Sequence, residues 1–281
     1  MQSKTVFPSQ QNKAKVNEGK THIMRTTGEK LKAGYGTSAY DAQLNRISIS
    51  MDNRPFFGTL HPELLPYIGQ NYKETGILLV GESHYVNNST EDDLKAVNWY
   101  HSPLPASGYH ELNAASAESW FDTRQVFVRY NGNDANEERG PGHITFSRPT
   151  EVLHELGIGT GDKYKDFCYF AFMNFFQRPA LQRGKSIQAT DEDRQTANEV
   201  FKAVLQILQP KVVVFLSKKA RKAFDGGSCF GGIPMKAVSH PACQWWYRKR
   251  RDGGCARDDF RDILKEVLFA GDQGDFAPPR E

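Results

Sequence analysis

Runs of apolar residues in this 281-residue chain come in two periods. Ile77–Val80 is an unbroken apolar stretch between Gly76 and Gly81, the pattern of a strand buried on both faces. Phe167–Met173 and Val212–Leu216 repeat that pattern, and Ala237–Ser239 is a shorter version of it. Between them the period changes. Ala197, Val200, Phe201, Val204, Leu205 and Leu208 recur at helical spacing, and Pro210 ends the helix. Thr190 stands where an N-cap belongs, with Asp193 three residues on, a variant of the capping box. Ser217 caps a short helix through Phe224, and Gly226–Gly232 reads as a turn. A last helix runs from about Arg257 to Phe269, with Phe260, Ile263, Leu264, Val267 and Leu268 on one face. Short helices are also expected near Pro62–Tyr67 and over Thr150–Leu156. Strands alternating with helices predict an α/β fold with a mostly parallel sheet.

Two regions fall outside this rhythm. Residues 1–50 are rich in Lys, Gln, Asn, Gly and Thr and read as a basic, disordered tail. Arg46–Met51 is a short extended piece within that transition. The packed domain is expected over residues 51–281, beginning with Phe56-Phe57 and Leu64-Leu65. An insert at 86–149 interrupts it, with helix-like pieces near Glu91–Tyr100 and Ala114–Tyr130 and a loop over Asn131–Gly142. So long an irregular insert beside a strand end is a lid or a specificity element. No internal repeat is visible. Gly226-Gly227 and Gly231-Gly232 lack the strand–loop–helix context of a phosphate loop.

Composition narrows the class. With 38% hydrophobic and 25% charged residues, the chain fits a soluble globular protein with a polar appendage. No apolar run approaches the roughly 20 residues that span a bilayer. Met1–Lys20 lacks an apolar signal core, so a cytoplasmic location is expected, without membrane association. None of the four cysteines (Cys168, Cys229, Cys243, Cys255) forms a Cys-x-x-Cys pair. A disulfide framework is not expected, and a zinc grouping of His240, Cys243 and Cys255 fits no common spacing. Neither a metal nor a cofactor is predicted. Net charge is only +3, but it is uneven: residues 1–50 carry eight Lys/Arg against three acids, and Arg248-Lys249-Arg250-Arg251 form a second cluster. Such patches suit phosphate-rich partners or form a solvated surface.

The candidate chemistry lies where the strands end. In an open α/β sheet, polar groups at the carboxyl ends of parallel strands converge on one crevice. Gly81-Glu82-Ser83-His84-Tyr85 follows the first apolar run. A carboxylate and an imidazole there can hold a water or accept a proton; a strand-to-helix turn with polar caps is the plainer reading. Asn174 closes the second run, its amide suited to a planar amide-like ligand or to a turn. Arg178-Pro179 puts a cation near the same rim. Pro241 biases His240 towards an extended backbone, from which the imidazole can donate to a developing oxyanion, or be a simple loop histidine. Gln244-Trp245-Trp246-Tyr247-Arg248-Lys249 follows, an aromatic and basic run that fits a nucleic-acid surface or a helix with buried rings.

Taken in order, these segments resemble the uracil-DNA glycosylase superfamily. Gly81 and Tyr85 match the ends of that family's Gly-Gln-Asp-Pro-Tyr motif, and Glu82 matches the Gly-Glu-Ala-Pro-Gly form of its iron–sulfur branch. Asn174 with Arg178-Pro179 is similar to that branch's second motif, and His240-Pro241-Ala242 to its His-Pro-Ser/Ala motif. The resemblance spans about Gly76 to Tyr247, broken by the insert. It implies a three-layer α/β/α sandwich around a short, mostly parallel sheet, and extrusion of a DNA base into a pocket at the strand ends. Glu82 and His240 would be catalytic. Gly81, Ser83, His84, Tyr85 and Asn174 would bind the base, with Tyr85 crowding the methyl position of thymine. Arg178, Gln244, Trp245, Arg248 and Lys249 would bind DNA. The chain departs from the pattern at Ser83, where the common form has a water-activating Asp, and at His84, where it has Pro. The cysteines lack iron–sulfur spacing, and no Leu wedge follows His240-Pro241. The expected function is therefore a glycosylase for uracil or a related base in DNA. A nucleic-acid or nucleobase-binding protein of the same fold is the first alternative, and a Glu/His-dependent esterase-like hydrolase the second.

Overall fold

The computed structural model describes residues 36–85, 94–102, 122–130, 143–162, 165–181 and 185–269. It opens with α1 (Asp41–Leu44) and a two-stranded antiparallel ribbon of β1 (Ser48–Ile49) and β2 (Asp52–Pro55). A π-helical turn at Phe56–Leu60 and a 3-10 turn at Pro62–Leu64 lead into β3 (Tyr67–Ile68), α2 (Tyr72–Thr75) and β4 (Ile77–Gly81). Then come α3 (Ala96–Trp99), α4 (Thr123–Tyr130), α5 (His143–Glu155) and β5 (Phe170–Asn174). The long α6 (Asp191–Leu208) precedes β6 (Val212–Phe215), α7 (Lys218–Ala223), β7 (Cys229–Phe230), β8 (Ile233–Ala237) and α8 (Ala256–Leu268).

The architecture is α/β, with a mixed six-stranded sheet of order β3-β5-β4-β6-β8-β7. The inner four strands are parallel, and β3 and β7 are antiparallel at the edges. Alternate residues of each strand serve opposite faces. Leu78, Val80, Met173, Val213 and Phe215 pack with Val200, Phe201, Val204 and Leu205 of α6. Ile77, Leu79, Phe172, Val212 and Val214 pack with Phe260 and Leu264 of α8 and with Val152 and Leu153 of α5. Both faces are covered, which is why the strands read as uninterrupted apolar runs. At the start of α6, Thr190 Oγ1 accepts the Asp193 amide at 3.2 Å while Asp193 Oδ2 accepts the Thr190 amide at 2.8 Å, the reciprocal cap anticipated from the spacing.

Several boundaries differ from the sequence pattern. Asp166–Tyr169 is a 3-10 turn and the strand begins only at Phe170, because Asp166 is buried and its carboxylate accepts the amides of Thr160 and Gly161. Pro62–Leu64 is one 3-10 turn, and Tyr67 belongs to β3. β8 lies earlier than Ala237–Ser239, and its hairpin with β7 occupies part of the expected Gly226–Gly232 turn. Residues 36–50 are not tail. Leu44, Ile47 and Ile49 are buried, Asp41 takes two hydrogen bonds from the buried Arg124, and the Ser50 amide and hydroxyl bond Glu199 of α6. Three apolar residues without regular spacing give no periodic signal, yet they find partners in tertiary contact. The rest of the expected tail, residues 1–35, and the Asn131–Gly142 loop lie outside the described residues, as does the first part of the Ala114–Tyr130 piece. Described parts of the insert are well packed: Leu94, Trp99, Tyr100, Phe127 and Phe146 are all buried.

Candidate functional site

Parallel register fixes where the polar residues emerge. Gly81 is paired with Asn174, Val80 with Phe215, and Phe215 with Ala237. The ladder continues just past the strands: the Phe175 amide donates to Gly81 O, Phe176 to Glu82 O, Leu216 to Val80 O and Val238 to Phe215 O, all within 3.1 Å. Asn174, Glu82, Ser217 and the 238–240 segment therefore leave one edge of the sheet in that order. Adjacent strands are about 4.8 Å apart, so the row is on the scale of one small planar ligand with its attached sugar.

Asn174 lies directly against Gly81. A Cβ at position 81 would sit 2.2 Å from Asn174 Oδ1, so only glycine lets this amide cross the neighbouring strand end. Glu82 is half-buried, and the Ser217 hydroxyl donates to its Oε2 at 2.8 Å. The same hydroxyl accepts the Ala220 amide at 3.2 Å as the N-cap of α7. Ser217 thus ties the carboxylate to the tip of β6.

His240 is exposed, and its Nδ1 accepts the Ala242 amide at 3.1 Å. In the neutral ring the proton must then sit on Nε2, which becomes a donor. The imidazole titrates below its ordinary value. Although the residue as a whole is exposed, protein atoms crowded around the ring disfavour its cation and are the main cause; the Glu82 carboxylate acts in the opposite direction and the Arg148 cation adds to the lowering. Arg148 comes from α5. It donates to Pro241 O, and its guanidinium lies 4.7 Å over the Tyr247 ring. The insert thereby clamps the His240-Pro241 turn.

The other expected residues divide. Ser83 is half-buried. His84 is buried, with Nε2 3.0 Å from Thr123 Oγ1 of α4, so this ring serves the joint between strand and insert instead of the rim. Tyr85 bridges Ala180 and packs against the core. Arg178 is a correction. It is buried, pairs with Asp193 at 2.6 Å and donates to the carbonyls of Leu94 and Gln188. Its donors are held internally, so it cannot meet a phosphate. Gln244–Trp246 is a 3-10 turn in which Trp246 is buried against Phe260 while Gln244 and Trp245 face outwards. Arg248 lies 4.6 Å over the Trp245 ring, whereas Lys249 pairs with Asp258 at 3.0 Å.

Ser217, Arg148 and Thr123 escaped sequence reasoning as site residues. Ser217 carries a helix-cap signal that hides its second role, and nothing local to Arg148 or Thr123 points across the fold. Among the described residues no three His, Cys, Asp or Glu side chains come close enough to hold a metal, so His240, Cys243 and Cys255 do not form the weighed zinc grouping. Nor is any described helix long and apolar enough to cross a membrane. Neither models of known protein families nor curated protein sequences give a match to the chain.

The arrangement has distinct chemical capacities. Asn174 can read the edge of a planar amide through a donor and an acceptor. His240 can donate to an anion, and Glu82 can accept a proton from water.

Proposed function

We propose that this chain is a DNA glycosylase of the uracil-DNA glycosylase type, a three-layer α/β/α protein that hydrolyses the bond between a uracil-like base and deoxyribose. The observation that supports the reading is the register of Gly81 with Asn174, which puts the Asn174 amide on the same sheet edge as Glu82 and the segment leading to His240. In this reading the base leaves its stack and meets the Asn174 amide by its amide edge. As the N-glycosidic bond breaks, its electron pair passes to the base. His240, neutral with its proton on Nε2, donates a hydrogen bond to the developing oxyanion. Glu82, oriented by Ser217, accepts a proton from the water whose oxygen bonds the sugar carbon. The leaving base takes up a proton, and the sugar is left as an abasic site.

One observation favours a second reading, that the site binds a nucleobase without hydrolysis. Ser83 stands where the resembling family has a base, and Glu82 already accepts a hydrogen bond from Ser217. Incubation with a uracil-containing oligonucleotide separates the two. Alkali-labile abasic sites should form, and Asn174→Ala or His240→Ala should abolish them. Binding of the oligonucleotide without strand scission would overturn hydrolysis in favour of the second reading, and neither binding nor scission would overturn both.

A further inference from the structure

We propose that the surface around Trp245, Tyr247, Arg248 and Arg251 is a stacking platform for single-stranded DNA, delivering a strand to the row of strand tips; the proposal rests on the nucleobase reading above and specifies its substrate class. Trp245 and Tyr247 are 49% and 48% exposed, an uncommon condition for large rings placed two residues apart. They follow directly on the His240-Pro241 turn. Between them Trp246 is fully buried, its ring 5.7 Å from Phe260, so the turn that presents the two outer rings is anchored in the core.

Charge completes the surface. Arg148 lies 4.7 Å over the Tyr247 ring and Arg248 4.6 Å over Trp245, leaving each ring partly open beside a guanidinium. Lys249 and Arg250 are balanced by Asp258 and Asp259. Arg148 and Arg248 lie over the rings themselves and Arg251 is exposed in the same segment, so positive charge borders the rings. Exposed π-faces flanked by cations suit an unstacked strand, whose bases are open to stacking and whose phosphates meet the guanidiniums. Bases in a duplex already stack on their neighbours and present no free face. A ring that wedged into a duplex would predict the opposite preference.

The test uses the full chain and a fluorescent thymidine oligonucleotide without uracil, as a single strand and as a duplex of equal length, followed by anisotropy. Single strand should bind more tightly than duplex. Trp245→Ala should weaken the single-strand complex roughly tenfold, and Trp245→Phe should restore most of the loss. Arg248→Gln and Arg251→Gln should each flatten the logarithmic salt dependence by about 0.7. Equal or tighter duplex binding, or an unchanged affinity in Trp245→Ala, would overturn the platform. The outcomes are separable from the catalytic reading: single-strand binding with no cleavage of a uracil-bearing strand leaves the platform standing and ends the glycosylase reading. Undiminished binding and cleavage of a single uracil-bearing strand by Trp245→Ala does the reverse.

Discussion

The Ser217 hydroxyl donates to Glu82 Oε2 at 2.8 Å, joining the ends of β4 and β6, which are 135 residues apart in sequence. One hydroxyl caps a helix and orients a carboxylate, so its two tasks can be separated by substitution. Ser217→Gly keeps a tolerable N-cap and should cost only a few tenths of a kcal/mol, whereas Ser217→Ala should cost about 1 kcal/mol. Both remove the bond to Glu82 and should lower kcat/KM on a uracil-containing strand about tenfold. Thermal melts beside kinetics check this; activity that tracks stability instead of the missing hydroxyl would refute the positioning role.

Gly81→Ala tests the contact between β4 and β5. The new methyl would meet Asn174 Oδ1 at 2.2 Å and the tip of the Phe172 ring at 3.2 Å. Overpacking of this kind costs about 1–3 kcal/mol, so the domain should still fold. Displacing the amide by about 1 Å should reduce turnover on the order of 100-fold. A folded Gly81→Ala protein with full activity would show that Asn174 does not read the base.

Arg178 and Asp193 form a buried pair, joined by the Tyr100 hydroxyl at 2.8 Å from Asp193 Oδ1. Arg178→Met leaves Asp193 buried without its cation and should cost about 3–5 kcal/mol in urea unfolding. Burial alone would raise the Asp193 pKa, but the hydrogen bonds from Arg178, the Thr190 amide and Tyr100, with the Arg178 charge, hold it below the ordinary value. The folded form therefore binds its proton less readily than the unfolded chain. The pair's contribution is complete above the ordinary carboxylate pKa of about 3.9 and is lost as pH falls through the lower folded value. Asp193→Asn should weaken the protein at pH 7 and flatten the fall of its stability below the ordinary carboxylate pKa of about 3.9, measured by denaturation at stepped pH.

His240 offers a titration with a defined sign. Its folded pKa is depressed, so the ring stays neutral below the ordinary value of about 6.5. Removing the positive field with Arg148→Gln should raise the pKa, and Glu82→Gln should lower it further, since these groups act in opposite directions. Proton NMR of the imidazole follows both. Shifts of the reverse sign would remove Glu82 and Arg148 from its surroundings.

Much of this protein was legible in one dimension. Buried strands such as Ile77–Val80 and Val212–Phe215 announce themselves because both of their faces are covered, leaving no polar alternation. The Thr190–Asp193 cap was legible because its partners are three residues apart. Asn174, Glu82 and His240 could be singled out as strand-end polar groups, and parallel topology brings such ends to one edge. Tertiary structure decided the rest. It turned Arg178 inwards to Asp193 and His84 towards Thr123, and it brought Arg148 to the His240-Pro241 turn. It also recruited Leu44, Ile47 and Ile49 from a stretch that looks like tail. The reason is range: periodicity and capping are local, whereas an ion pair or a clamp depends on which distant surface the folded chain presents. A charged or irregularly spaced residue carries no local mark of that partner.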